Sequence, residues 1–107
     1  MPFRIDAFTV PEAARPEFER RSRQTHALLR QQAGFVRDHW FEKVSGDGTI
    51  DVITMVEWQD EASIASAISV VRAMHAATGF DPAAFCRENG IVANLGVYAG
   101  RDFVTPR

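Results

Sequence analysis

A strand and a helix follow each other directly in residues 50–75, which read IDVITMVEWQDEASIASAISVVRAMH. The first half is rich in β-branched residues, which favour strands. Its apolar side chains alternate between two faces: Ile50, Val52, Val56 and Trp58 on one, Ile53 and Met55 on the other. A strand that is apolar on both faces is typical of a sheet covered from both sides.

The second half predicts a helix that begins after Asp60, because aspartate is a preferred residue at helix N-termini. Apolar side chains recur at helical spacing from Ile64 to Val71, and His75 continues that stripe. His75 should therefore point toward the sheet. It is either a core histidine with one hydrogen bond or a group that transfers protons in a cavity.

The same patterns extend outward on both sides. Alternating apolar residues predict strands, and proline followed by an apolar stripe predicts helix starts. The turn-forming residues Ser45–Gly48 join two strands as a hairpin. The predicted segments are strands 3–10, 35–44, 50–58 and 91–98, and helices from 16 to about 32, after 60, and from 82 to about 88.

The composition fits one domain of 107 residues. A net charge of −2 offers no broad attraction to nucleic acid or anionic lipid. The central strand also lacks the aromatic and basic pattern of RNA-binding sheets. No run approaches the ~18 apolar residues of a membrane span, and no secretory signal is visible, so we expect a cytoplasmic protein. No cysteine–histidine spacing indicates a metal site.

The order of elements predicts an α+β, ferredoxin-like βαββαβ fold. Both main helices would cover one face of a four-stranded antiparallel sheet. The other face would expose an apolar patch around Ile53 and Met55, larger than monomers usually show. We therefore predict a homodimer in which two sheets pack face to face.

Three short motifs resemble the antibiotic biosynthesis monooxygenase family, and the resemblance spans nearly the whole chain. The motifs are Phe8-Thr9-Val10-Pro11, Gly34-Phe35 and Val56-Glu57-Trp58-Gln59-Asp60. The resemblance implies a dimeric α+β barrel with a pocket between the helices and the sheet of each subunit. It also implies a monooxygenase that acts on a small aromatic or quinol-type molecule with no cofactor, neither metal nor flavin. A non-catalytic dimeric module that binds a small molecule is the alternative.

The haem-degrading branch of that family relies on three residues: an asparagine on strand one, a tryptophan inside helix two and a histidine near the end of that helix. The corresponding positions here are Asp6, Ala67 and His75, so only the histidine matches. The resemblance therefore disfavours haem degradation.

The candidate catalytic residues are His75 as general base and Asp6 as the residue that orients it, because the family register faces Asp6 toward the helices. Asn94 and Tyr98 on the last strand are candidate donors to the substrate anion, with ordinary strand roles as the alternative. The remaining substrate-binding candidates are Phe8, Trp40, Trp58 and Phe80 as aromatic walls and Arg72 at the pocket mouth. Core or interface positions for the aromatic residues, and a surface position for Arg72, are the alternatives.

Other polar residues carry no motif. His26 is interpreted as the flank of the first helix, and Cys86 as a small buried hydrophobic residue. The arginines of the first helix are interpreted as a solvated face, with an anion site or a partner site as the alternative. They are Arg15, Arg20, Arg21, Arg23 and Arg30.

Overall fold

The computed structural model describes residues 1–103. Within them the chain forms four strands, three α-helices and one short 3-10 turn at Glu12–Ala14. The strands are β1 Pro2–Pro11, β2 Phe35–Val44, β3 Thr49–Trp58 and β4 Val92–Ala99. The helices are α1 Arg15–Leu29, α2 Glu61–Thr78 and α3 Pro82–Glu88.

The four strands form a single antiparallel sheet in the order β2-β3-β1-β4. This order and the placement of α1 and α2 on one face confirm the predicted ferredoxin-like α+β fold. Helix α1 ends at Leu29, three residues before the predicted end. The N–H groups of Gln31 and Gln32 bond three residues back, to Leu28 and Leu29, so the last turn tightens and leaves the α-helix.

The helix-facing side of the sheet holds the core. Val10, Ile50 and Val52 are fully buried there with Phe18 of α1, and α3 packs against the same cluster. A second cluster joins Val56 and Trp58 to α2. Its α2 members are Ile64 and Ala67. Burial of these apolar side chains is the main source of stability.

The opposite side of the sheet carries no helix and is called here the open face. Directly paired residues of an antiparallel sheet share a face, which places Ile5 and Met55 here beside Ile53 and Tyr98. Ile53 is 43 % exposed, Tyr98 49 % and Phe41 52 %. The apolar patch predicted from the sequence is therefore present, and the homodimer that would cover it stays a prediction.

No helix within residues 1–103 has the length and apolar character needed to cross a membrane.

Candidate functional site

A cavity of about 150 Å³ lies between the helix-facing side of the sheet and the three helices. It is called here the inner cavity. Strands β1 and β3 form its floor, and α1, the end of α2 and α3 form its walls. Its lining residues are Asp6, Phe8, Phe18, Arg21, Ser22, Thr25, His26, Thr54, His75, Phe80, Pro82, Phe85 and Cys86.

His75 reaches the inner cavity from the last turn of α2, as its place on the apolar stripe predicted. Gly79 ends that helix with a φ of 72°, a left-handed conformation that glycine adopts without strain. The chain then turns back, and the Phe80 N–H donates to the His75 carbonyl at 3.0 Å. The Phe80 ring consequently packs edge-on against the imidazole, with 5.2 Å between centroids.

Arg21 of α1 completes this corner of the inner cavity. Its guanidinium carbon lies 4.0 Å from the centre of the Phe80 ring, a cation–π contact. Burial and then the charge of Arg21 lower the pKa of His75 below its ordinary value of 6.5. His75 is therefore neutral at pH values near 7, the state in which an imidazole accepts a proton.

The interpretation of Arg21 as part of a solvated arginine face missed this role. Arg21 follows Phe18 by three residues and precedes Thr25 by four, so helical spacing places it on the same inward stripe. That spacing is the sequence signal that could have placed Arg21 at the cavity. Its guanidinium also donates to Glu17 at 3.1 Å, which holds the side chain across the helix.

Asp6 faces the inner cavity, but it does not form the predicted pair with His75. Its carboxylate accepts a hydrogen bond from Arg4 Nε at 2.8 Å, and no hydrogen bond joins it to His75. Arg4 and Asp6 are two residues apart on one strand and therefore share a face. This nearby guanidinium is the partner that satisfies the carboxylate.

Two of the proposed aromatic walls, Phe8 and Phe80, line the inner cavity, whereas the two tryptophans do not. Trp58 is 1 % exposed and packs in the α2 core, against Phe35 at 5.8 Å between centroids. Trp40 packs on the far side of Phe18, outside the cavity. Both tryptophans therefore have a packing role, which was the alternative given for them.

The other three candidates also lie outside the inner cavity. Asn94 and Tyr98 pair with Ala7 and Phe3 of β1, which places them on the open face, away from the helices. They cannot donate to an anion in this cavity. Arg72 is exposed on the outer side of α2, as the surface alternative proposed.

A second histidine, His26, borders the inner cavity from α1. Its Nδ1 lies 3.0 Å from Oδ2 of Asp38 on β2. Arg30 donates two hydrogen bonds to the same carboxylate, each 3.0 Å long. Burial opposes the charge of Asp38, but the bonds from Arg30 and His26 outweigh it and hold the pKa of this carboxyl below its ordinary value of 3.8.

His26 and Asp38 also line a larger cleft of about 610 Å³ between α1 and β2, called here the outer cleft. Arg23 and Arg30 line it as well, and their side chains are 82 % and 62 % exposed, so the cleft opens to solvent. His26 therefore stands between solvent and the inner cavity. The sequence interpretation of His26 as a helix flank did not identify this position.

Cys86 of α3 contributes a thiol to the inner cavity, and burial raises the pKa of that thiol above its ordinary value of 9.0. It is therefore protonated near neutral pH and is a poor nucleophile. Within residues 1–103, no three His, Cys, Asp or Glu side chains are grouped so that they could hold a metal ion.

The family model described as antibiotic biosynthesis monooxygenase matches residues 1–67. No curated protein matches the chain in sequence. The fold is similar to that of SnoaB, a cofactor-independent oxygenase from Streptomyces nogalater, at 20 % identity and a TM-score of 0.61, with 98 % of this chain and 97 % of that chain covered.

Two other solved structures share the fold. The heme-degrader MhuD from Mycobacterium tuberculosis, with two hemes bound in its active site, has 22 % identity and a TM-score of 0.63, covering 98 % of this chain and 100 % of that chain. A dimeric ferredoxin-like protein from an uncultured marine organism has 11 % identity and a TM-score of 0.67, covering 96 % of this chain and 98 % of that chain. At these identities the similarities establish the fold alone.

Proposed function

Because the chain belongs to the antibiotic biosynthesis monooxygenase family, we propose that it oxidises a small phenol or quinol with O₂, without a metal or flavin. The observation that carries this proposal is a neutral imidazole in an aromatic cavity beside a guanidinium. His75 serves as general base for a phenolic O–H. Arg21 stabilises the phenolate that results.

Deprotonation is enough to start the reaction, because the anion of a hydroquinone, unlike that of a simple phenol, is electron-rich enough to reduce O₂. One electron passes to O₂, and the resulting radical pair combines to form a bond between oxygen and a ring carbon. Breakage of the O–O bond then leaves one oxygen atom on the ring as a carbonyl. The other leaves as water, so hydroquinone and O₂ give hydroxyquinone and water. The substrate supplies all four electrons.

The size of the inner cavity favours a single-ring substrate. A cavity of about 150 Å³ is comparable to a buried apolar cavity of about 150 Å³ that holds one benzene molecule. A polycyclic phenol or a porphyrin requires the helices to move apart. The aromatic rings of Phe8 and Phe80 offer the walls against which such a ring would stack.

The binding module remains the second candidate, and one observation favours it. The ring nitrogens of His75 have no hydrogen-bond partner within residues 1–103, because Asp6 is engaged with Arg4. A general base without an orienting partner is less well positioned for catalysis than a base held by a carboxylate. The same cavity would then hold a phenolic ligand without oxidising it.

Oxygen uptake by the purified protein tests the proposal. The assay measures O₂ consumption with hydroquinones and other single-ring phenols, corrected for autoxidation, and compares wild type with His75→Ala. We expect a kcat loss of about 100-fold or more, since general base catalysis contributes about 10²–10⁴. The acid limb of kcat/KM should lie below pH 6.5, because activity requires neutral His75 and falls as the pH drops through its lowered pKa.

Arg72→Ala is the matched control, because Arg72 lies on the same helix but is exposed outside the cavity. Its kcat should equal that of wild type, and thermal unfolding should show that all variants are folded. Equal turnover of wild type and His75→Ala would remove His75 from the mechanism. Saturable phenol binding without O₂ uptake would establish the binding module instead.

A further inference from the structure

Two histidines border the inner cavity, and each has a different neighbour. His75 lies near the guanidinium of Arg21, which disfavours a positive charge on its ring. His26 donates from Nδ1 to the carboxylate of Asp38, 3.0 Å away. Groups that share a site but have different partners can take different roles, one as base and one as acid.

The hydrogen bond to Asp38 also orients the His26 ring. An ionised carboxylate only accepts hydrogen bonds, so Nδ1 carries the proton that lies between the two residues. The side chains of His26 and Asp38 are 19 % and 11 % exposed, so water competes little for this bond. The other ring nitrogen, Nε2, has no hydrogen-bond partner within residues 1–103 and is available to the cavity.

We propose that His26, oriented by Asp38, is the proton donor of the inner cavity and regains its proton from solvent through the outer cleft. This role rests on the proposed function, because it belongs to the second half of that reaction. The ring-bound peroxide first takes back the phenolic proton from His75 and becomes a hydroperoxide. His26, with Nδ1–H held by Asp38 and a second proton taken from solvent on Nε2, then protonates the outer oxygen as the O–O bond breaks, and the ring carbon loses its hydrogen as a proton to form the carbonyl. The departing oxygen then leaves as water rather than hydroxide.

The charged surroundings leave His26 as the group suited to this step. In the inner cavity Asp6 is paired with Arg4, and Arg21 with Glu17. In the outer cleft Glu42 is paired with Arg15, and Glu19 with Arg15 and Arg23. His39 also lines the cleft, but it stacks on Phe41 at 5.6 Å between ring centroids and does not border the inner cavity.

Nitrogen-15 NMR tests the geometry without any substrate. The chain has three histidines, and His26→Gln identifies the signals of His26. At a pH of about 9, where imidazoles are neutral, wild type should show His26 as the Nδ1–H tautomer. Asp38→Asn removes the charge that selects this tautomer and should raise the fraction of the Nε2–H form. An Nε2–H tautomer in wild type would overturn the proposal.

Product analysis tests the proton transfer. Without a donor, reduced oxygen escapes as hydrogen peroxide, and hydroquinone and O₂ give unoxygenated quinone and H₂O₂. His26→Gln should therefore increase the H₂O₂ formed per O₂ consumed at least several-fold and lower kcat more than it raises KM. In His26→Ala, free imidazole should diffuse into the outer cleft and restore part of the oxygenated product.

Arg87→Gln is the control, because Arg87 is exposed on α3 and lines neither the inner cavity nor the outer cleft. It should form oxygenated product and H₂O₂ in the wild-type ratio. If wild type is active and His26→Gln forms the two products in the wild-type ratio, the donor role of His26 is overturned and the proposed function stands. A wild type that consumes no O₂ with any phenol would overturn the proposed function, and the donor role with it.

Discussion

Asp38 is hydrogen-bonded to His26 of α1 and to Arg30 just after that helix, and it is therefore expected to contribute to stability in a pH-dependent way. Its pKa in the folded protein lies below 3.8 because Arg30 and His26 outweigh the effect of burial. As the pH falls, the unfolded chain takes up this proton first. The stability that the carboxylate contributes is therefore complete above a pH of about 5 and is lost as the pH falls through the folded-state pKa.

We expect Asp38→Asn to lower the free energy of unfolding by about 1–2 kcal/mol near neutral pH, since hydrogen bonds to a charged group are lost. The difference from wild type should shrink as the pH falls below about 4. Urea denaturation across this pH range measures it. Glu88→Gln, at an exposed position of α3, should show almost no difference. If the difference in unfolding free energy between wild type and Asp38→Asn stayed constant down to a pH of about 3, the carboxylate would not be its source.

The sequence predicted the direction of His75 but not the partners of the histidines. Helical periodicity is enough to predict that His75 points toward the sheet. The partner of His26 depends on an irregularity in β2, where the register shifts between Phe35 and Arg37. With regular alternation from Phe35, Asp38 would face away from α1, but the bulge reverses the faces. No local sequence pattern indicates that the residues after the bulge exchange faces.

At the scale of elements, the junction between α1 and β2 depends on a close approach to α2. Gly34 has a φ of 86°, and a Cβ placed on it would collide with the side chain of Ser63. Ser63 is fixed in turn, because its N–H and hydroxyl both donate to the N-cap Asp60, at 2.8 and 2.7 Å. The N–H of Gln59 also donates to the Gly34 carbonyl at 2.8 Å. The start of β2 and the start of α2 are therefore joined at Gly34.

Gly34→Ala should consequently destabilise the protein more than a positive φ alone explains. The strained conformation costs about 1 kcal/mol, and the collision should add about 1–3 kcal/mol. Gly46→Ala is the matched control, since Gly46 has a φ of 81° but open space where its Cβ would lie. Urea denaturation of both variants gives the comparison. Equal losses of unfolding free energy in the two variants would show that Ser63 moves aside without an energetic cost.

At the scale of the whole molecule, the fold could be predicted because the order of elements leaves few ways to close one antiparallel sheet. The family resemblance implied a pocket between the helices and the sheet, and the inner cavity lies between them. Its lining was not predicted in full, because β4 sends Asn94 and Tyr98 to the open face. The alternation of that strand separates two faces, but which face meets the helices depends on its pairing with β1.

The open face gives the last prediction, a homodimer in which two copies bury Ile53, Phe41 and Tyr98 against each other. Exposing this apolar surface to water costs about 25 cal/mol per Å², so we expect a dimer in sedimentation at micromolar concentration. Ile53→Asp would bury an unpaired charge of each copy in an apolar interface and should weaken the dimer at least about 100-fold. Val44→Asp is the control, because Val44 is 70 % exposed but pairs with the helix-facing Ile50. A wild-type monomer at that concentration would show that the open face tolerates water or meets another partner.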